Sequence, residues 1–138
     1  MNQKPFKILG IEHIGIAVDD LNGISDVFGD LLGLELRSRE KIDDQQVITD
    51  IYETGSGKLE FLKATDPDSP IAKFIDKKGT GMHHIALKVD NLQAALDYLK
   101  GQGTQLIDTS PRIGAEGFKI AFLHPKSTGG VLIELCEK

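Results

Sequence analysis

Residues 8 to 18 alternate between two kinds of side chain, the period-two pattern of a strand whose faces differ. Ile14, Ile16 and Val18 fall on one side; Ile11, His13, Gly15 and Ala17 fall on the other. The period then lengthens. Leu21, Ile24, Phe28 and Leu31 recur at helical spacing, with Asp19 or Asp20 placed to cap the helix and Gly33 placed to end it. Strands are predicted near 34–40, 46–54 and 58–63, the last two joined by a turn at Gly55-Ser-Gly57. The segment Asp66-Pro-Asp-Ser-Pro70 turns the chain, and Ile71 to Lys77 reads as a short connecting helix.

The same order then repeats. A strand at 82–89 leads to Asn91 as cap, and Leu92, Ala95, Leu96 and Leu99 share one helical face before Gly101 and Gly103 break it. Strands near 105–108, 118–123 and 131–136 complete the set. The pattern predicts one α+β domain over residues 1–138. Module one covers about 8–64, a connector about 65–79 and module two about 80–138. Each module reads βαβββ and is too small to bury its own sheet. Pairing the two is expected to form one curved, eight-stranded open barrel around a concave face.

The repeat is also literal. Residues 10–21 and 81–92 align at a constant offset of 71, which pairs Gly10 with Gly81, His13 with His84, Val18 with Val89 and Leu21 with Leu92. Each module closes on a strand that carries a carboxylate between apolar neighbours, Glu60 in the first and Glu134 in the second. A carboxylate on an otherwise apolar face is costly unless paired or bound to metal. His13, Glu60, His84 and Glu134 are therefore expected around one divalent ion, with two octahedral positions open to substrate or water. Cobalt, nickel, manganese or an open zinc site all suit these donors. A closed structural zinc site would want cysteines that the chain lacks.

Other residues read more plainly. His83 points away from the face of His84 and is expected to pack or hydrogen-bond. His124, before Pro125, is expected to fix a turn, and Cys136 to be an inert buried thiol. Lys126-Ser-Thr-Gly-Gly130 offers a lysine and backbone N–H groups to a phosphate, which makes Lys126 and Ser127 candidate substrate contacts. It lacks P-loop spacing, and a hairpin role competes. Gly114-Ala-Glu-Gly117 reads either as a turn or as a mobile loop.

Composition narrows the partners. The chain has 138 residues, 40% apolar and 27% charged, the balance of an ordinary globular domain. A net charge of −5 with three arginines (Arg37, Arg39 and Arg112) argues against nucleic acid. An anionic ligand must then be met by a local basic cluster or a metal. No segment has signal-peptide character or the length to span a bilayer, and a lone cysteine fits a reducing compartment, so a cytoplasmic protein with no membrane partner is expected.

From Gly10 to its end the chain resembles the vicinal-oxygen-chelate superfamily, and within it the methylmalonyl-CoA epimerases. The most specific stretches are Ser69-Pro-Ile-Ala-Lys-Phe-Ile, Gly81-Met-His-His-Ile-Ala and His124-Pro-Lys-Ser-Thr-Gly-Gly-Val-Leu-Ile-Glu-Leu. The resemblance implies metal positions at His13, His84 and Glu134, with Glu60 as fourth ligand and cobalt as the leading metal. It also implies a homodimer acting on an acyl-CoA. The implied reaction removes an α-proton from one face of the thioester and returns it on the other through an enolate, with Glu134 as one base. The second base stays open between Glu60 and another group, because Thr49, beside Asp50, stands where some members carry a third-strand glutamate. A glyoxalase I shares the ligand set. Such lyases tend to carry an arginine four residues after the first ligand histidine, where this chain has Ala17. An iron dioxygenase or a metal-free binding module is a further alternative, each disfavoured by four retained ligands.

Overall fold

The computed structural model describes residues 3–138, in two compact units. One is His13–His83. The other joins the described residues up to Glu12 with His84–Lys138. Each unit carries mixed strands with a helix laid on them, so the class is α+β and the βαβββ order occurs twice along the chain.

In the first unit the strand order is β2 (Glu35–Ile42), β3 (Val47–Glu53), β4 (Lys58–Ala64) and then β1 (Ile8–Ala17), which enters this unit at His13. The hairpin from β3 to β4 turns at Thr54, whose hydroxyl donates to the Gly57 carbonyl at 2.6 Å. Strand β1 runs parallel to β4, which needs the rest of the module as a crossover. The segment after β1 supplies part of it. It starts as α1 (Asn22–Ile24) and continues as a π-helix over Ser25–Leu31. The helix start falls one residue later than expected: the N-cap is Leu21, with no side-chain cap bond, and Asp20 Oδ1 accepts from the Asn22 N–H at 3.0 Å from just before it. Val18, Leu21, Tyr52 and Phe61 form the core under this helix, with the Phe28 and Phe61 rings 4.7 Å apart. Leu31 departs from the expected pattern and is 79% exposed. The i→i+5 ladder turns fewer degrees per residue, so a three-residue step from Phe28 no longer returns to the buried face. Gly33, at φ +76°, then ends the helix in a conformation that only glycine adopts freely.

The opposite face of this sheet is covered by α2 (Pro70–Lys78). Ser69 caps it through the Ile71 N–H at 3.1 Å, and Ile71 packs with Ala17, Val47 and Leu62.

In the second unit the order is β5 (Gly81–Val89, which enters this unit at His84), β8 (Ile133–Glu137), β7 (Lys119–Leu123), β6 (Arg112–Ile113). Helix α3 (Leu92–Gly101) begins at Asn91, whose side chain accepts from the Ala94 N–H at 3.0 Å. Its Leu92, Ala95 and Leu96 are at most 1% exposed against Val89, Ala121 and Leu135. Burial on that scale contributes roughly 2 kcal/mol per leucine. The strand expected near 105–108 does not form a ladder. Leu106 makes a single bridge to Leu123, and the Asp108 carboxylate takes the Phe122 N–H at 2.9 Å where a strand carbonyl would. The edge strand is instead β6, past Pro111. The loop after it is tight, since a Cβ on Gly114 would sit 2.8 Å from Ile120 Cδ1.

Candidate metal centre

Strand register aligns the two units residue for residue. In the first, Gly15 lies opposite Glu60, and Glu60 opposite Ile51. In the second, Ala86 lies opposite Glu134, and Glu134 opposite Phe122. Gly15 and Ala86 each stand two residues after a histidine, so each small residue leaves room on the face where that histidine projects.

The side chains meet accordingly. His13 Nδ1 lies 2.9 Å from Glu60 Oε2, and His84 Nε2 lies 3.3 Å from Glu134 Oε1. All four residues are between 4% and 6% exposed. Burying two imidazoles and two carboxylates is costly unless their charges and lone pairs are met. Each His–Glu pair meets part of that need. Buried nitrogen and oxygen donors, with no cysteine among them, also fit a divalent ion of mixed coordination. In the second unit the Phe122 ring stands edge-on to His84 at 5.5 Å and limits its rotation.

The register also brings in a carboxylate that sequence reading passed over. Glu40 lies opposite Thr49, and Thr49 opposite Leu62, so Glu40 shares the sheet face of Glu60. It is half-buried and accepts from the Ser38 hydroxyl at 3.2 Å. The alternation of β2 would have revealed it, once the 3-10 turn at Asp43–Gln45 had fixed the hairpin register. Asp50 is on the other face, fully buried. Arg39 holds it with bonds of 2.6 and 2.9 Å, and Asp50 in turn raises the Arg39 pKa, through its hydrogen bond first and its charge second. Asp50 is thus a structural ion pair and not a neighbour of Glu60.

His83 stacks edge-on against Phe74 at 5.0 Å, a packing role. The His124 Nδ1 accepts from the Lys126 N–H at 3.1 Å and fixes the turn. Lys126 and Ser127 are exposed, and the Ser127 hydroxyl accepts from the Gln105 N–H at 2.9 Å. The N–H groups of Ser127, Thr128 and Gly130 bond to His124 and Pro125 carbonyls, so these main-chain donors already serve the turn. Cys136 is 1% exposed beside Ile120 and Phe122.

With this geometry established, similarity to known proteins is decisive. Residues 12–122 match the Glyoxalase/Bleomycin resistance protein/Dioxygenase superfamily. The chain belongs to this superfamily. Among its superfamily relatives, the mitochondrial methylmalonyl-CoA epimerase of Mus musculus is 37% identical over 94% of this chain and 74% of its own. The crystal structure of methylmalonyl-CoA epimerase from Mycobacterium tuberculosis superposes with a TM-score of 0.91 at 35% identity, covering 99% of this chain and 91% of that one. A methylmalonyl-CoA epimerase in complex with methylmalonyl-CoA and NH4+ gives 0.90 at 32%, covering 96% of each. Among the described residues no helix is long and apolar enough to cross a membrane.

Proposed function

We infer that the chain interconverts the (R)- and (S)-forms of methylmalonyl-CoA, with His13, Glu60, His84 and Glu134 holding one divalent ion. The observation that carries this reading is the doubled, buried His–Glu pair at matching register in both units. The epimerases among its relatives support the same substrate. A divalent cation bound there would supply positive charge where the thioester oxygen becomes negative.

The remaining chemistry falls to the chain. The α-carbon lies between a carboxylate and a thioester carbonyl. A carboxylate base removes its proton, and the electron pair of the broken C–H bond moves onto the thioester oxygen as an enolate. The enolate is planar, so inversion requires the proton to return from the other side. Glu134 serves one face, and the first unit serves the other through Glu60 or Glu40. The second carboxyl group starts protonated and gives its proton to the enolate. One turnover therefore leaves the abstracted proton on the first carboxylate and the second ionised, and exchange with solvent resets both. Apolar neighbours such as Ile51 and Phe122 exclude water around these carboxylates.

A glyoxalase I is the second reading, and Ala17 provides no cation for a glutathione carboxylate. The test is incubation of metal-loaded protein with methylmalonyl-CoA in deuterium oxide. Loss of the α-proton signal together with interconversion of the two forms is expected. No exchange, alongside turnover of the methylglyoxal–glutathione adduct, would replace the epimerase with the lyase.

Cobalt is the metal we assign, on the resemblance to the epimerases, since the mixed nitrogen and oxygen donors suit nickel, manganese and zinc as well; activity after reconstitution with each of the four ranks them. Exposed Ile8, Leu9 and Ile11 on β1, each about half accessible, support a homodimer that light scattering would detect. The lone buried cysteine supports a cytoplasmic setting.

A further inference from the structure

The second unit carries a pair of cations on the face of His84 and Glu134. Lys88 stands four residues after His84 on β5 and therefore on the same side of the strand. Register then runs from Lys88 to Cys136, from Cys136 to Ile120 and from Ile120 to Arg112. One row across the sheet thus reads cation, two buried apolar residues, cation. It lies next to the row of Ala86, Glu134 and Phe122.

Both cations are positioned for a ligand. Lys88 is half-buried, and no carboxylate among the described residues pairs with its ammonium group. The Arg112 guanidinium lies 5.6 Å over the Phe122 ring, the same ring that abuts His84. Its Nε lies 3.3 Å from Asp108 Oδ1, while the other oxygen of Asp108 is fixed by the Phe122 N–H. Arg112 is thereby held from two sides. Between the cations, Cys136 and Ile120 form an apolar floor, with Phe118 partly buried beside them. Lys88, kept partly out of water with no carboxylate partner among the described residues, costs free energy that is recovered if an anion binds there. Arg112, already held by Asp108, stands at the other end of the row. In a chain of net charge −5, such a row needs a reason.

We propose that Lys88 and Arg112 form an oxyanion subsite that grips an anionic group of the acyl-CoA substrate. The assignment rests on the epimerase reading and adds the residues that recognise the ligand. Carboxylate and phosphate share the chemistry a lysine and an arginine recognise, and the substrate carries both. An apolar floor between two cations also suits the pantetheine arm, which is largely uncharged and joins the thioester to the phosphates.

Steady-state kinetics on the metal-loaded protein separates the sources. Lys88→Met keeps the stem of the side chain and removes the charge; Lys88→Arg restores charge. Arg112→Gln tests the second cation, and thermal unfolding of each variant reports on folding. With methylmalonyl-CoA, Lys88→Met is expected to raise KM about tenfold, the loss of one charge-assisted bond, with kcat within about twofold. Lys88→Arg should return KM towards the wild-type value. If the phosphates are the anion, the KM rise disappears with methylmalonyl-pantetheine, which lacks them, and calorimetric binding of coenzyme A alone weakens in parallel. If the carboxylate is the anion, the rise persists with both thioesters and coenzyme A binding is unchanged. Unaltered KM for both thioesters in folded Lys88→Met and Arg112→Gln, with active wild-type protein, overturns the subsite and leaves the epimerase reading standing. Inactive wild-type protein defeats the epimerase reading itself.

Discussion

The two units start from the same plan and fill one row of it in opposite ways. Four residues beyond its histidine, the first unit has Ala17, then Leu62, Thr49 and Glu40 across the sheet. At the same place the second unit has Lys88, Cys136, Ile120 and Arg112. In the first, Ala17 and Leu62 pack under α2, and Glu40 is the only charge. In the second, no helix of that unit joins the cluster on this face, and both ends of the row are cations. One row back, the units agree: a small residue, Gly15 or Ala86, lies opposite a buried glutamate, which the histidine two residues earlier in the strand contacts. On the proposed function, the residues present in both units are those the chemistry uses twice. The next row differs, because a substrate is not symmetric. Its α-carbon needs a carboxylate on each face, but its anionic tail leaves in one direction only.

The comparison can be broken at several levels. The largest effect is expected at the shared row. Glu134→Gln removes a base and should lower kcat about 100-fold or more while thermal unfolding stays close to wild type. Glu60→Gln and Glu40→Gln, assayed beside it, identify the second base: the variant that retains deuterium exchange into one form while losing interconversion has lost the carboxylate for the other face.

A second pair of variants compares the residues that flank the two glutamates. Phe122 faces Glu134 and Ile51 faces Glu60, and both are buried. Phe122→Ala should cost about 3–5 kcal/mol and Ile51→Ala about 2–5 kcal/mol in urea unfolding. Only Phe122→Ala should also weaken metal retention, since its ring abuts His84. Equal metal retention in the two would show that His84 is held by other contacts.

The smallest effects are expected at the helix starts. Asn91→Ala deletes the cap of a regular helix and should cost about 1 kcal/mol. Asp20→Ala removes a bond from a helix that soon becomes π-helical and should cost less, about half as much. A larger loss at Asp20 would mean that this irregular helix depends on that bond more than its packing.

Much of this is legible in the sequence. The repeated Gly-x-x-His phrase and strict strand alternation located His13 and His84. The apolar flanks of Glu60 and Glu134 placed them on buried strands, where they lie. Helix α3 followed from its spacing and its asparagine. What escaped notice was register. Glu40 and Lys88 look like ordinary surface charges in a strand until pairing shows which row each shares, and pairing depends on turns and bulges that local pattern does not encode. Leu31 escaped because a π-helix breaks the periodicity used to find helices. The strand expected at 105–108 failed because the Asp108 side chain replaced a main-chain partner, a competition that aspartate is suited to win.

We propose that the two His–Glu pairs hold a single ion, with a base on each face of the substrate. Metal stoichiometry tests it most directly, by titrating metal-free protein with cobalt and repeating this with His13→Ala and His84→Ala. The account predicts one equivalent per chain in the wild type and a loss of tight binding in either variant. Two equivalents per chain, or one equivalent that persists when either histidine is replaced, would mean that the pairs act separately and would contradict it.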